Sequence, residues 1–113
     1  MFRSIPNPER MDPLLKAMAS AIRHAPSLKK LDLWFGEDEL SPTYVKVEGL
    51  KRRFDIFYRA SGEGRVFRDD PKERQLTRRP RIVCDVLHWR ASEEIEKCWM
   101  EALGPNGAIY YRH

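Results

Sequence analysis

Residues 12–25 carry apolar side chains three and four positions apart, a spacing typical of a helix with one buried face. Asp12 is a suitable N-cap, and Pro13 fits the first helical position because its missing amide would have no partner there. Pro26 ends the helix because a proline disfavours helical angles at the residue before it. We therefore predict a helix from Pro13, preceded by an extended lead-in at residues 1–11. The apolar positions of the helix are Leu14, Leu15, Met18, Ala21, Ile22 and Ala25.

Alternating apolar and polar positions follow this helix and predict strands. Leu31, Leu33 and Phe35 alternate with polar or aromatic residues, as expected for a strand with one buried face. The same alternation recurs in residues 54–60, whereas the run at 81–89 is almost continuously apolar and is typical of a central strand. Further strands are predicted at 108–112 and, as a short edge segment, at 44–47.

A second amphipathic helix is predicted after Ser92, which can serve as its N-cap. Glu93 and Glu94 place negative charge in the first turn, where the helix dipole favours it, and Gly104 suits the C-terminus. Before this helix, residues 61–80 form the most polar stretch of the chain and are predicted to be a long loop. The apolar face of the helix consists of Ile95, Cys98, Trp99, Ala102 and Leu103.

Together these elements predict an α+β fold. Two amphipathic helices would cover one face of a small mixed sheet of about four to five strands, as a two-layer sandwich. The last strand, helix and strand would form a parallel crossover. Residues 12–113 would make a single domain, with the polar loop at 61–80 as its one long excursion.

The composition narrows the class of protein. The chain has 113 residues, 42% of them hydrophobic and 34% charged, with a net charge of +4 and a pI near 9.3. No apolar run approaches the roughly 20 residues that span a bilayer, and the N-terminus has no hydrophobic signal core. We therefore expect an intracellular protein, cytoplasmic or nuclear. Cys84 and Cys98 are expected to be reduced core residues, with a disulfide between them as the alternative.

No catalytic or metal-binding signature is present. Ser61 lies in A-S-G-E-G, which is not the G-x-S-x-G nucleophile elbow, and Asp69 and Asp70 are adjacent in sequence and make poor acid–base partners. His24 could be a metal ligand, but no second ligand stands at coordinating spacing, so a favourable position at the helix C-terminus is the simpler interpretation. We expect no enzymatic activity, no cofactor and no metal.

Two kinds of macromolecular surface are candidates. Trp34 and Tyr44 are the candidate protein-interface residues. Trp34 is expected on the second sheet face, where an exposed tryptophan would anchor a protein partner unless Tyr44 or the polar loop covers it. For nucleic acid, the candidate contacts are Arg52, Arg53, Arg78 and Arg79. Phe57, Tyr58 or Phe67 could stack on bases, although Glu63, Asp69, Asp70 and Glu73 interrupt the basic run.

Three stretches carry a family resemblance: DPLLKAMASAIRHAPSLKKLDLWF, RRFDIFYRASGEG and SEEIEKCWMEALG. They resemble the C-terminal region of uncharacterised fungal F-box and leucine-rich-repeat-like proteins, and L-x-x-L-x-L at Leu28, Leu31 and Leu33 matches the strand of one repeat. The resemblance implies a substrate-recognition or scaffold role beside a ubiquitin-ligase adaptor. Residues 1–11 are too short for an F-box, so adaptor binding is not expected of this chain.

The first functional prediction is accordingly a non-enzymatic protein–protein interaction or scaffold module that is itself a monomer. The alternative is a small basic nucleic-acid-binding protein, which the excess of positive charge permits. A third hypothesis is a secreted-type effector domain without its signal. No membrane partner is expected.

Overall fold

A computed structural model describes residues 8–35, 54–86 and 89–112. The strand predicted at residues 44–47 lies outside the described residues. The elements, in chain order, are helix α1 (Pro8–His24), strands β1 (Lys30–Phe35) and β2 (Phe54–Arg59), helix α2 (Pro71–Arg74), strand β3 (Arg81–Asp85), helix α3 (Glu93–Leu103) and strand β4 (Ala108–Arg112).

The described strands form one mixed sheet in the order β1-β2-β3-β4. β1 pairs antiparallel with β2, and β2 pairs antiparallel with β3. β3 and β4 are parallel, because helix α3 returns the chain to the end where β3 began. The predicted α+β class and the predicted parallel pairing are confirmed. In the described part of the chain, no helix is long and apolar enough to cross a membrane.

One face of the sheet, here called the apolar face, shares a hydrophobic core with both long helices. The register places Leu33, Ile56, Cys84 and Tyr111 in one row across the four strands. Trp99 of α3 is completely buried, and its indole Nε1 donates to the carbonyl of Leu15 in α1 at 3.2 Å. The main members of the core are Met11, Leu15, Met18, Ile22, Ile56, Tyr58, Ile82, Cys84, Ile95, Trp99 and Leu103.

Helix α1 begins earlier than the sequence predicts. The predicted start at Pro13 is wrong: Pro13 lies inside the helix, and the helix begins at Pro8. Pro8 suits the first position for the reason that was applied to Pro13. Pro13 removes the amide that would donate to the carbonyl of Glu9, but the longer helix buries Met11, which is only 3% exposed. Part of the predicted extended lead-in is therefore helical.

Helix α3 has the ends that its sequence predicts. The Ser92 hydroxyl accepts from the amide of Ile95 at 3.2 Å, which satisfies one of the free donors of the first turn. Gly104 ends the helix at a φ of 92°, a left-handed value that glycine adopts without steric cost. Cys84 and Cys98 are both free thiols, as predicted, and burial raises the pKa of Cys84.

The other face of the sheet, here called the polar face, is covered by residues 61–80, which we call the polar segment. Within the stretch that was predicted to be a loop, α2 forms one helical turn, and the two ends are tied together. The Gly62 amide donates to the carbonyl of Thr77 at 2.8 Å, and the Ser61 hydroxyl donates to the carbonyl of Arg78 at 2.7 Å. The segment thus resembles an Ω-loop, compact and closed at its base.

A fully buried ion pair between Glu73 and Arg81 holds the polar segment together. Their charged atoms are 3.5 Å apart, and both side chains are inaccessible to solvent. The Glu73 carboxylate also accepts from the amides of Val66 and Phe67, while Arg81 donates to the carbonyls of Glu63 and Gly64. Burial lowers the pKa of Arg81, and the charge of Glu73 opposes that change. These hydrogen bonds to the backbone offset part of the cost of burying the two charges.

Asp70 links the polar segment to β4. One carboxylate oxygen accepts from the amides of Lys72 and Glu73 and caps α2. The other accepts from the Tyr110 hydroxyl at 2.7 Å and from Arg112 Nε at 3.3 Å. Burial by itself raises the pKa of Asp70, but these hydrogen bonds and the charge of Arg112 outweigh it and leave the pKa below its usual value. Burial, and then Asp70, raise the pKa of Tyr110 to about 12.

Candidate functional site

The structure does not describe the side chains of the two protein-interface residues that the sequence predicts. Trp34 lies in β1 opposite Asp55, but its side chain lies outside the described residues, as does Tyr44 altogether. The polar face on which the sequence placed Trp34 is not bare, since the polar segment packs on its central and β4 side. Trp34 therefore stays a prediction.

The predicted nucleic-acid residues divide into three groups. Arg52 and Arg53 lie outside the described residues. Arg79 is used internally: its Nε donates to the carbonyl of Asn106 at 3.0 Å and its second terminal nitrogen to the carbonyl of Gly107 at 2.8 Å, which fixes the turn before β4. Arg78 is exposed and forms no ion pair with the described carboxylates.

A site that the sequence did not predict lies along the outer edge of β4. No described strand pairs with this edge. The Ala108 amide donates inward, to the carbonyl of Pro80 next to β3, at 3.0 Å. Because the backbone groups of successive strand residues point to opposite sides, the N–H and C=O groups of Ile109 and Tyr111 point outward. Ile109 therefore offers a backbone donor and acceptor that another strand would need.

A groove of about 680 Å³ follows this edge and is here called the edge groove. Helix α3 borders it on one side and the polar segment on the other, with β4 between them. Met100 supplies an exposed apolar surface, with 38% of its area accessible, and Leu76 supplies a half-buried one across the groove. The lining residues are Leu76, Arg79, Arg90, Glu93, Glu96, Lys97, Met100 and residues 107–111.

One end of the edge groove is held in shape by Tyr111. Its hydroxyl donates to a Glu96 oxygen at 2.6 Å and accepts from the Ala91 amide at 3.0 Å. The Arg90 guanidinium lies 4.7 Å from the centre of the Tyr111 ring and 3.5 Å from Glu96. Burial, followed by the hydrogen bond to Glu96, raises the pKa of Tyr111. This network makes the groove a preformed feature rather than a gap between mobile side chains.

The groove has the chemistry of a binding surface. Its charges are mixed: Arg90 and Glu96 neutralise each other, which leaves exposed Glu93 and Lys97 on α3 as charges without a described ionic partner.

Across the described residues there is no group of three or more His, Cys, Asp or Glu side chains that could hold a metal ion. His24 donates from Nδ1 to the carbonyl of Ser20 at 2.9 Å, within its own helix.

Comparison with protein-family models, with curated protein sequences and with solved structures found no match. The resemblance to F-box and leucine-rich-repeat-like proteins is not tested by these comparisons and stays a prediction.

Sequence reasoning missed the edge groove because it could not order the strands. The letters A-I-Y-Y-R predict a strand, but nothing in them shows that it lies at an edge. A usable signal did exist in α3, where Met100 falls between the buried positions of the helix and remains exposed. An exposed methionine beside a terminal strand is a pattern that favours an interface.

Proposed function

We propose that the protein is a non-enzymatic interaction module that binds an extended segment of another protein along the edge groove. The added segment would pair with β4 as a fifth strand of the described sheet. This mode of recognition uses backbone hydrogen bonds for affinity and side-chain pockets for specificity. The observation that carries the proposal is the outward backbone of Ile109 at the floor of a preformed groove.

The proposed partner is an extended peptide with an apolar residue near its centre. Its backbone would pair with the outward N–H and C=O groups of Ile109, and its apolar side chain would pack between Met100 and Leu76. Glu93 and Lys97 would lie at the rim, where charged residues affect specificity and association rate more than affinity. The edge groove supports a scaffold role independently of the family resemblance.

A peptide selection tests the proposal. Random 12-residue peptides displayed on phage would be selected on the immobilised protein, and the best one would be measured by fluorescence polarisation. Met100→Asp is expected to weaken binding at least about tenfold, because about 1.5–3 kcal/mol of apolar burial is replaced by a charge. Leu14→Asp is the matched control, since Leu14 is also an exposed apolar residue, with 48% accessibility, but lies on α1 away from the groove.

Amide hydrogen exchange gives the second readout. Bound peptide is expected to protect the amide of Ile109, while the amides of Ala108 and Tyr110 are protected already in the free protein. Equal loss of affinity in Met100→Asp and Leu14→Asp would contradict the proposal. So would exchange at Ile109 that the peptide leaves unchanged.

A further inference from the structure

The polar segment presents an unbalanced positive surface, because its acidic residues are used internally. Residues 61–80 contain six Lys and Arg residues and four Asp and Glu residues. Two of the four carboxylates, Asp70 and Glu73, are buried in the contacts with β4 and Arg81. Glu63 is 24% exposed and lies 3.9 Å from Lys30, so Asp69 is the one acid of the segment that stays well exposed.

Most basic residues of the segment, unlike its acidic residues, are not used in internal contacts. Arg79 is held by backbone carbonyls, but the other five form no ion pair with a described carboxylate. Four of these five are exposed, and the segment's packing on the sheet is made by other side chains. Since the two ends of the segment are tied together at its base, these side chains are confined to one compact part of the surface. The five residues are Arg65, Arg68, Lys72, Arg74 and Arg78.

The chemistry of this surface favours phosphate. Four of the five cations are arginines, whose planar guanidinium binds a phosphate through two parallel hydrogen bonds. A membrane surface is a poorer fit, because the exposed large apolar residues of the described chain are Leu14 and Met100, and neither belongs to the segment. A row of arginines without an apolar anchor is better matched to the backbone of a nucleic acid.

The aromatic side chains exclude base stacking as the main contact. Tyr58, which the sequence offered as a stacking residue, is buried in the apolar core. Phe57 and Phe67 pack edge to face on each other, with ring centres 5.7 Å apart. The guanidinium of Arg112 lies 4.0 Å from the centre of the Phe67 ring and covers it, and Arg59 lies 5.6 Å from the centre of Phe57. Binding would therefore use phosphates rather than unstacked bases.

We propose that the outer surface of the polar segment binds the phosphate backbone of duplex nucleic acid without base specificity. The polar segment borders the edge groove, but none of the five cations lines it. With up to five phosphate contacts, the logarithm of the binding constant should fall with the logarithm of salt concentration with a slope of about −4 to −5.

Fluorescence anisotropy with a labelled 20-base-pair DNA duplex, over a series of salt concentrations, tests this proposal. The variant Arg68→Gln/Arg78→Gln is expected to reduce the magnitude of the salt slope by about 2, one unit for each lost phosphate contact. The control Arg23→Gln/Lys29→Gln removes the same charge from exposed residues outside the segment and should leave the slope unchanged. Circular dichroism melts would show that both variants fold.

Three results would overturn the proposal. The first is no binding of the duplex at low salt. The second is an equal change of slope in the two double variants, which would mean that net charge alone attracts the DNA. The third is binding to vesicles that contain phosphatidylserine together with no binding to the duplex. Since the edge groove is not altered by these variants, peptide binding in the same samples keeps this result separate from the test of the proposed function.

Discussion

The two faces of the sheet are covered in different ways. The apolar face is covered by α1 and α3 through side chains that recur at helical spacing, and the Trp99–Leu15 hydrogen bond is a polar contact inside that core. The polar face is covered by the polar segment, whose main contacts are the Glu73–Arg81 pair and the hydrogen bonds of Asp70. The first face depends on buried area, and the second depends on a few groups that must all be paired.

The two faces therefore tolerate different substitutions. On the apolar face, a substitution loses free energy in proportion to the area and the cavity involved. On the polar face, the loss of one partner leaves a charge buried without compensation, and the cost is far larger than the few contacts suggest. Val83 shows that the second cover excludes water as well as the first, since it lies on the polar face and is fully buried.

The largest effect is expected from Trp99→Ala on the apolar face. The substitution removes a fully buried aromatic side chain and leaves the Leu15 carbonyl without its donor. We expect the free energy of unfolding to fall by about 5 kcal/mol, a large part of the total for a small domain. Urea denaturation followed by circular dichroism measures this. A loss below about 2 kcal/mol would mean that α3 is not central to the core.

Glu73→Ala should have the second largest effect on stability. It should loosen the cover of the polar face before it affects the rest of the protein. It leaves the Arg81 guanidinium buried without its carboxylate, at a cost of about 4 kcal/mol. Amide exchange should rise throughout residues 61–80 before it rises in α1 and α3. The control is the double variant Glu73→Leu/Arg81→Met, which removes both charges and should be more stable than Glu73→Ala. If the double variant were the less stable one, the pair would not be the anchor described here.

Asp70→Ala should have a smaller effect that depends on pH. At pH 7 the loss of the α2 cap and of the bonds from Tyr110 and Arg112 should cost about 2 kcal/mol. Because the pKa of Asp70 is lowered in the folded protein, its ionised form stabilises the fold above the unfolded pKa of about 4. That contribution is lost as the pH falls through the lower, folded pKa. Stability curves of the two proteins should therefore converge below pH 4, and a constant gap would contradict the assignment.

Ser92→Ala should have the smallest effect of the series. The substitution removes the hydroxyl that accepts from the Ile95 amide, a contact within the same helix. The free energy of unfolding should fall by about 1 kcal/mol. Unlike Asp70→Ala, it should show no change of effect between pH 3 and pH 7 and no increase in exchange at residues 61–80. Comparison of these two cap variants by thermal unfolding separates a cap that holds one helix from a cap that also holds the sheet.

The same difference explains how much could be predicted from the sequence. The α3 boundaries, the strands β1, β2 and β4 and the α+β class followed from periodicity and capping residues, because the apolar face is built on periodic contacts. The cover of the polar face could not be predicted in this way. Glu73 and Asp70 look like surface charges in a polar run, and only their distant partners Arg81 and Tyr110 make them structural.

The functional surfaces show the same limit. Arg78 and Arg79 are neighbours with the same chemistry, yet one is exposed and the other is held by the turn before β4. No local pattern separates them. The edge groove depends on the order of the strands, which cannot be deduced from the sequence. The predicted start of α1 was five residues too late because Pro8 and Pro13 are both acceptable first residues of a helix.

The hydrogen bond between Trp99 and Leu15 joins residues that are 84 positions apart, and this has a consequence for biosynthesis. The sheet is built from strands that neighbour each other in sequence order, so its pairs can form as each strand leaves the ribosome. Helix α1 is made before α3 and cannot pack against it until the ribosome has also made the strands between them and α3 itself. At about 5–20 residues per second, its apolar face stays without that partner for several seconds. We expect nascent chains that end before α3 to bind chaperones that recognise exposed apolar helices, and longer ones to be released from them.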